Sequence, residues 1–445
     1  MMFKAIALLC FLVFCTLGIY VLTVTPALPE VPGYNVLFLT GDSFNKKHLS
    51  IYGYRRDTMP FLSQLAKESV VFDQMINPSG WTNENLISIF TSLSSPVHKV
   101  ETRGRSIDPD WITPIEILKE YGYQAPRWQG TDNHLNLGFD EVSTLHPSQW
   151  LEEHGKEGRF FLFYHFIQPH LPYNGNGDDD VFLSYFSPEM FPGDDSRQRV
   201  MSTVHRNVII ENNGSVQFEP EDQEAVHALY DGELLLLDRE IERTIKTLEK
   251  LDLLENTIVI IGADHGEELL EHGFVGHAST SREARLYDEI INIPFLILFP
   301  RKLPSGKRIT TQVRGIDVMP TVLELLEIPP VAYLEGRSLV PVINGQETGH
   351  RTAFSQSSRA GYQEEDPENV TERIRAVRTG DWKLIHHHYL DNPTSFELYN
   401  LLEDPLERHN LIERNPDKAN QLKTLLTDWV LDQEKVSPPS PELFI

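Results

Sequence analysis

Apolar residues fall along this chain in short blocks with two rhythms. Asn35-Val36-Leu37-Phe38-Leu39-Thr40 and Thr257-Ile258-Val259-Ile260-Ile261 are nearly unbroken apolar runs. They are too short for helices and apolar on both faces, which predicts strands buried within a parallel sheet. Val226, Tyr230, Leu234, Leu237, Ile241, Ile245 and Leu248 instead recur at helical spacing and predict one long helix over 221–251. Shorter helical patterns cover 58–69, 85–93, 112–121 and 316–326. From about Gly349 the rhythm changes again. Arg375-Ala376-Val377-Arg378 and Trp382-Lys383-Leu384-Ile385 read as strands joined by the turn Thr379-Gly380-Asp381, Glu397 to Asn400 as a third, and a helix runs from about 416 to 431. The expected fold is α/β, a central, mostly parallel sheet flanked by helices, with a small C-terminal α+β subdomain. The expected division is 1–33 (N-terminal segment and linker), 34–348 (main domain) and 349–445 (subdomain).

The run Ala5 to Val24 is almost uncharged, with Lys4 before it. It is long enough to span a bilayer as an N-terminal anchor, and a cleaved signal segment is the alternative. Either one predicts a domain outside the cytoplasm, membrane-anchored or secreted. Both cysteines, Cys10 and Cys15, lie inside this run, so the rest of the chain has no disulfide and no thiolate metal site. Asn213-Gly214-Ser215 and Asn369-Val370-Thr371 are glycosylation sequons, meaningful only in a eukaryotic secretory path. A net charge of −26 argues against nucleic acid and anionic membrane surfaces as partners. An anionic substrate would need its positive charge from a metal and a few placed side chains.

The chemistry gathers where strands end. The run before Gly262 delivers Asp264, His265, Gly266 and Glu267, just past the carboxyl end of a strand, where open parallel sheets bind ligands. Asp264 offers hard oxygen and His265 a neutral imidazole, both common metal ligands. His272 and His277 follow in a polar loop. The first strand ends in Gly41-Asp42; Asp42 is either a second carboxylate for the same edge or a helix N-cap. Thr82 stands at or near the start of the helix carrying Leu86, Ile89, Phe90 and Leu93. Its hydroxyl is either an ordinary cap or a nucleophile placed beside backbone N–H groups that favour an anion.

These stretches together resemble the sulfatase family of the alkaline phosphatase superfamily. The resemblance covers most of 34–430 and rests on NVLFLTGDSFNKKHLSIYGY from Asn35, Trp81-Thr82 with Ser88 to Thr91 and Ser95 to His98, FFLFYHFIQPHLPY from Phe160, ADHGEELLEHG from Ala263, and Leu286 to Phe295. It implies an alkaline-phosphatase-like fold and one divalent cation (Ca, Mg, Mn or Zn) held by Asp42, Asp264 and His265. It places Thr82 at the nucleophile position, touching that cation. It gives His170 the substrate's oxygens or the leaving group, and His277 a place in the same zone. Thr82-Asn83-Glu84-Asn85-Leu86 departs from the family's Cys/Ser-x-Pro-x-Arg pattern, and Ser43 replaces a second carboxylate. Leu235 stands where a second metal site would need His after Asp231, so a single cation is expected. Three readings follow: a phosphate ester or phosphodiester hydrolase or transferase using Thr82, a sulfuric ester hydrolase, and a non-catalytic descendant binding metal or glycan. The expected partner is an anionic phosphate or sulfate ester, on a glycan or a lipid headgroup.

Overall fold

The computed structural model describes residues 28–438 apart from 129–136, 141, 174–182, 186, 188–189, 191–199, 201–217, 278–283, 360–365, 367–368 and 390–393. The central sheet is built from β1 (Asn35–Gly41), β2 (Val70–Ile76), β3 (Arg127–Trp128), β4 (Val142–Ser143), β5 (Phe161–Phe166) and β6 (Thr257–Ala263). After the small hairpin of β7 (Glu268–Leu269) and β8 (Val275–Gly276), it gains β9 (Asn292–Leu298), β10 (Arg308–Ile309) and β11 (Val313–Arg314). Its order is β10-β2-β9-β6-β1-β5-β3-β4, with β11 beside β2. Every pairing is parallel except those of β9 with β2 and β6. β1 and β6 are buried at every residue, as their unbroken apolar runs predict.

Helices cover the sheet: α1 (Pro60–Leu65), α2 (Thr82–Thr91), α3 (Pro114–Glu120), α4 (Pro147–His154), α5 (Gln223–Lys250) and α6 (Val318–Leu325). The α5 stripe from Val226 to Leu248 is buried as its spacing requires. α2 begins three residues before the pattern suggests. Its residues from Asn83 to Thr91 are all buried, so it has no polar face to reveal the start.

The C-terminal sheet is antiparallel, β12 (Ala353–Ser358), β13 (Arg373–Arg378), β14 (Trp382–His388) and β15 (Ser395–Asn400), with α7 (Pro416–Gln433) on one face. Phe354 stacks on Trp429 of α7 with ring centroids 4.7 Å apart. The opposite face meets Trp81, Leu286 and Ile290. β12 also braces the chain entering α2: Gln356 N donates to Pro78 O at 2.8 Å and Gly80 N to Ser357 Oγ at 2.9 Å.

One expectation is corrected. No helix of the described residues is long and apolar enough to cross a membrane, so the transmembrane anchor has no counterpart in the structure. Residues 5–24, on which it was placed, lie outside the described residues, as do Asn213-Gly214-Ser215.

Candidate active site

Strand register builds the site. Gly41 of β1 pairs with Ala263 of β6, so the next residues, Asp42 and the Asp264-His265 pair, emerge side by side at the carboxyl edge of the sheet. Gly266 then lets the chain turn back, since a Cβ there would sit 1.9 Å from the Glu289 carbonyl oxygen. Asp42, Asp264 and His265 each present a ligand atom within 4.8 Å of the others. His265 Nε2 lies 3.6 Å from Asp42 Oδ1 and 3.3 Å from Asp264 Oδ2. His265 Nδ1 faces the Gly266 carbonyl at 2.8 Å and donates to it, which leaves the Nε2 lone pair directed at the carboxylates.

Thr82 joins this group. It is the first residue of α2, after Trp81, whose side chain makes no capping bond. The Thr82 hydroxyl does not cap its own helix; Oγ1 lies 3.3 Å from His265 Nε2. It is the one residue of α2 not fully buried.

Ser43 follows Asp42 in the left-handed region at φ 63°, an uncommon conformation for a non-glycine residue. It is held there by Ser43 N donating to Asp264 Oδ1 at 3.2 Å and by Tyr230 of α5 donating to Ser43 O at 2.7 Å. His277 Nδ1 stands 2.8 Å from Glu267 Oε1 and 3.3 Å from Ser43 Oγ, and its ring lies 4.2 Å from that of His265. His170 completes the rim, its ring 4.9 Å from His277 and its Nδ1 turned to the Leu171 carbonyl.

Two residues at this edge were given no role by the sequence reading. His165, the fifth residue of β5, pairs in register with Thr40 and places Nε2 3.4 Å from Asp42 Oδ2 and 3.8 Å from Asp264 Oδ2. Glu267 is fully buried behind His277 and takes a bond from Tyr173 at 3.2 Å. The only signal for His165 was a polar ring inside an apolar run, which reads equally well as core.

The electrostatics are those of a cation site. His165 Nε2 and Asp264 Oδ2 are both buried without a hydrogen-bond partner. Burial, with the Asp42 charge adding to it, raises the Asp264 carboxyl. Burial acts the same way on Asp42, but His170, His165 and His265 outweigh it and hold that carboxyl below its ordinary value. Glu267 is raised well above the carboxylate range by burial and then by Asp42. Two orphaned polar atoms between crowded carboxylates fit a divalent cation bound by oxygen and imidazole. Glu84, which stands where the family pattern has Pro, is fully buried and turned to Ser79 and Trp81. It accepts from Ser79 Oγ and Trp81 Nε1, both at 2.7 Å, and burial followed by Glu101 pushes its carboxyl up to about 8.

Sequence comparison agrees with this architecture. The sequence model of the sulfatase family matches residues 34–153 and 128–328, and that of the C-terminal region of N-sulphoglucosamine sulphohydrolase matches 280–435. The N-acetylglucosamine-6-O-sulfatase of Bacteroides thetaiotaomicron is 28% identical over 513 residues, covering 94% of this chain and 90% of that protein. Arylsulfatase K of Gallus gallus is 21% identical over 461 residues, covering 91% and 83%. Among solved structures, one in complex with its substrate D-glucosamine-2-N,6-O-disulfate superposes with TM-score 0.71 at 20% identity, over 92% of this chain and 99% of that one. The phosphonate monoester hydrolase of Agrobacterium radiobacter superposes with TM-score 0.69 at 18% identity, over 90% and 96%.

Proposed function

The chain belongs to the sulfatase family, and from that premise we propose that it is a metal-dependent sulfuric ester hydrolase acting on a sulfated sugar, with Thr82 as its nucleophile. The observation that carries this reading is the approach of Thr82 Oγ1 to His265 Nε2 at 3.3 Å, beside Asp42 and Asp264. The sugar comes from the relatives, which include an N-acetylglucosamine-6-O-sulfatase.

Asp42, Asp264 and His265 would hold the cation, with His165 and Thr82 close enough to join them. A divalent ion there supplies Lewis acidity toward an ester oxygen and favours the ionised hydroxyl. The protein's own residues do the rest. The uncapped start of α2 directs backbone N–H groups toward an anionic group near Thr82. Thr82 Oγ1, its proton released to solvent on ionisation, forms a bond to sulfur as the sulfur–alcohol oxygen bond breaks; water then attacks sulfur, the Oγ1–sulfur bond breaks, and one proton of that water returns to Oγ1 as hydrogen sulfate leaves. His170 or His277 gives the departing alcohol its proton, the latter ring held by Glu267 and Ser43. Glu84, neutral and turned inward, adds no repulsion to the anion.

A second reading, phosphoester hydrolysis, is favoured by one observation: an ordinary threonine hydroxyl stands where the family pattern has a Cys or Ser that becomes formylglycine. Phosphoryl transfer needs little beyond positioning and neutralised charge. Turnover of nitrophenyl sulfate, glucosamine 6-sulfate, nitrophenyl phosphate and a bis-nitrophenyl phosphodiester, with and without divalent metal, separates the two. Metal-dependent sulfate release that Thr82→Ala abolishes is expected. Phosphate turnover alone moves the assignment to the second reading, and no turnover of any ester defeats both.

A further inference from the structure

A second constellation lies outside the active site. His48 follows β1 in a short 3-10 turn, His227 stands in the second turn of α5, and Glu271 sits between β7 and β8. Their ligand atoms lie within 4.8 Å of one another. The His48 and His227 rings meet edge to face with centroids 4.6 Å apart.

The far nitrogen of each ring is already committed to an acceptor. His48 Nδ1 donates to Asp231 Oδ1 at 2.7 Å, and Asp231 is itself held by Tyr54 at 2.9 Å and Arg56 at 2.6 Å. His227 Nε2 donates to the Leu269 carbonyl at 3.0 Å. A carboxylate behind one imidazole and a carbonyl behind the other are the outer partners that metal-ligating histidines use, because they fix the tautomer and expose the second lone pair. That leaves His48 Nε2, His227 Nδ1 and a Glu271 oxygen as the candidate ligand atoms of the three residues.

We propose that His48, His227 and Glu271 form a zinc site separate from the catalytic one, with a fourth position left to water. Two imidazoles and one carboxylate suit zinc better than calcium or magnesium, which prefer all-oxygen shells. Small side-chain rotations bring the three atoms to the ~3.3 Å spacing of tetrahedral ligands about 2.0–2.1 Å from the ion. Such an ion ties three segments together. One is the chain after Asp42, one is α5, and one is the 268–276 loop that continues from Asp264 and His265. The site is a clamp on the two halves of the active centre, and it stands whatever ester that centre cleaves.

The test is metal content of the full chain, stripped with chelator and then dialysed against zinc in excess calcium. Asp264→Asn is expected to retain one zinc per chain, whereas His227→Ala combined with Glu271→Gln loses it. Cobalt(II) in place of zinc should give the visible absorption of a tetrahedral site in Asp264→Asn and not in the double variant. Asp231→Asn, which removes only the charge behind His48, should weaken zinc ~10–100-fold. If the double variant fails to fold, the near-isosteric Glu271→Gln alone decides by the same loss of zinc. Zinc that persists in these variants, zinc lost from Asp264→Asn, or a wild-type chain that takes up none would overturn the proposal.

Discussion

Two clusters of buried charge in this protein use similar residues and balance them differently. At the seam between the sheets, Asp288 meets Arg378 at 2.9 Å and Lys383 at 3.1 Å, and Lys383 also meets Glu407 at 2.8 Å. Two acids face two bases. At the carboxyl edge of the central sheet, the ion-pair partners of Asp42, Asp264 and Glu267 are imidazoles alone; among the described residues no lysine or arginine pairs with them. The consequence shows in the carboxyls. Burial alone would raise Asp288, but Arg378 and Lys383 overcome it and hold it well below its ordinary value. Asp264, equally buried, stays raised. The balanced cluster joins the two sheets, whereas the unbalanced one is short of positive charge, as a candidate cation site is. Buried ionisable groups mark function where their charge is left over, not merely where they occur.

This contrast yields four expectations. The largest concerns Thr82→Ala, which should lower turnover on the order of 10⁴-fold or more while leaving the thermal midpoint nearly unchanged. Steady-state kinetics beside a melting curve would check it, and a parallel fall in both would place Thr82 in the scaffold instead. Next, Arg378→Met strips Asp288 of a buried partner and should cost about 3–5 kcal/mol in denaturant unfolding. Its metal affinity at the active site should not change. Third, metal removal should destabilise the wild type by ~3 kcal/mol when the ion had been present at a hundredfold excess over its dissociation constant. Asp264→Asn should show much less of that loss, and Arg378→Met all of it.

The smallest change comes from Glu84→Gln, which removes neither a pair nor a ligand. Glu84 titrates near 8 in the fold against an ordinary 4.5, so the folded chain holds the extra proton between these values. Its contribution is therefore full below pH 4.5 and fades as pH rises toward about 8. Glutamine in its place should flatten that decline, as unfolding curves across the range would reveal.

Much of this was legible before any coordinates. β1 and β6 are apolar on both faces because parallel strands under helices have no wet side, and their ends locate Asp42, Asp264 and His265. Thr82 was legible as a helix start, but its hydroxyl's direction was not. Capping and nucleophilic roles use the same residue at the same place, and local spacing carries no sign that Oγ1 lies 3.3 Å from His265 Nε2. β12 went unread because AFSQSS has no apolar rhythm; its serines and glutamine serve the 77–80 segment and Glu101 instead. His165 looks like a core residue until register sets it beside Thr40. His48, His227 and Glu271 meet only because α5 crosses the chain after β1, a tertiary fact with no trace in local spacing.

The most direct test of the central claim is mass spectrometry of the enzyme quenched during turnover. The account predicts a peptide containing Thr82 heavier by one sulfo or phospho group, formed only with divalent metal and absent in Asp264→Asn. Efficient turnover with Thr82 never modified, or turnover that survives Thr82→Ala, would contradict it.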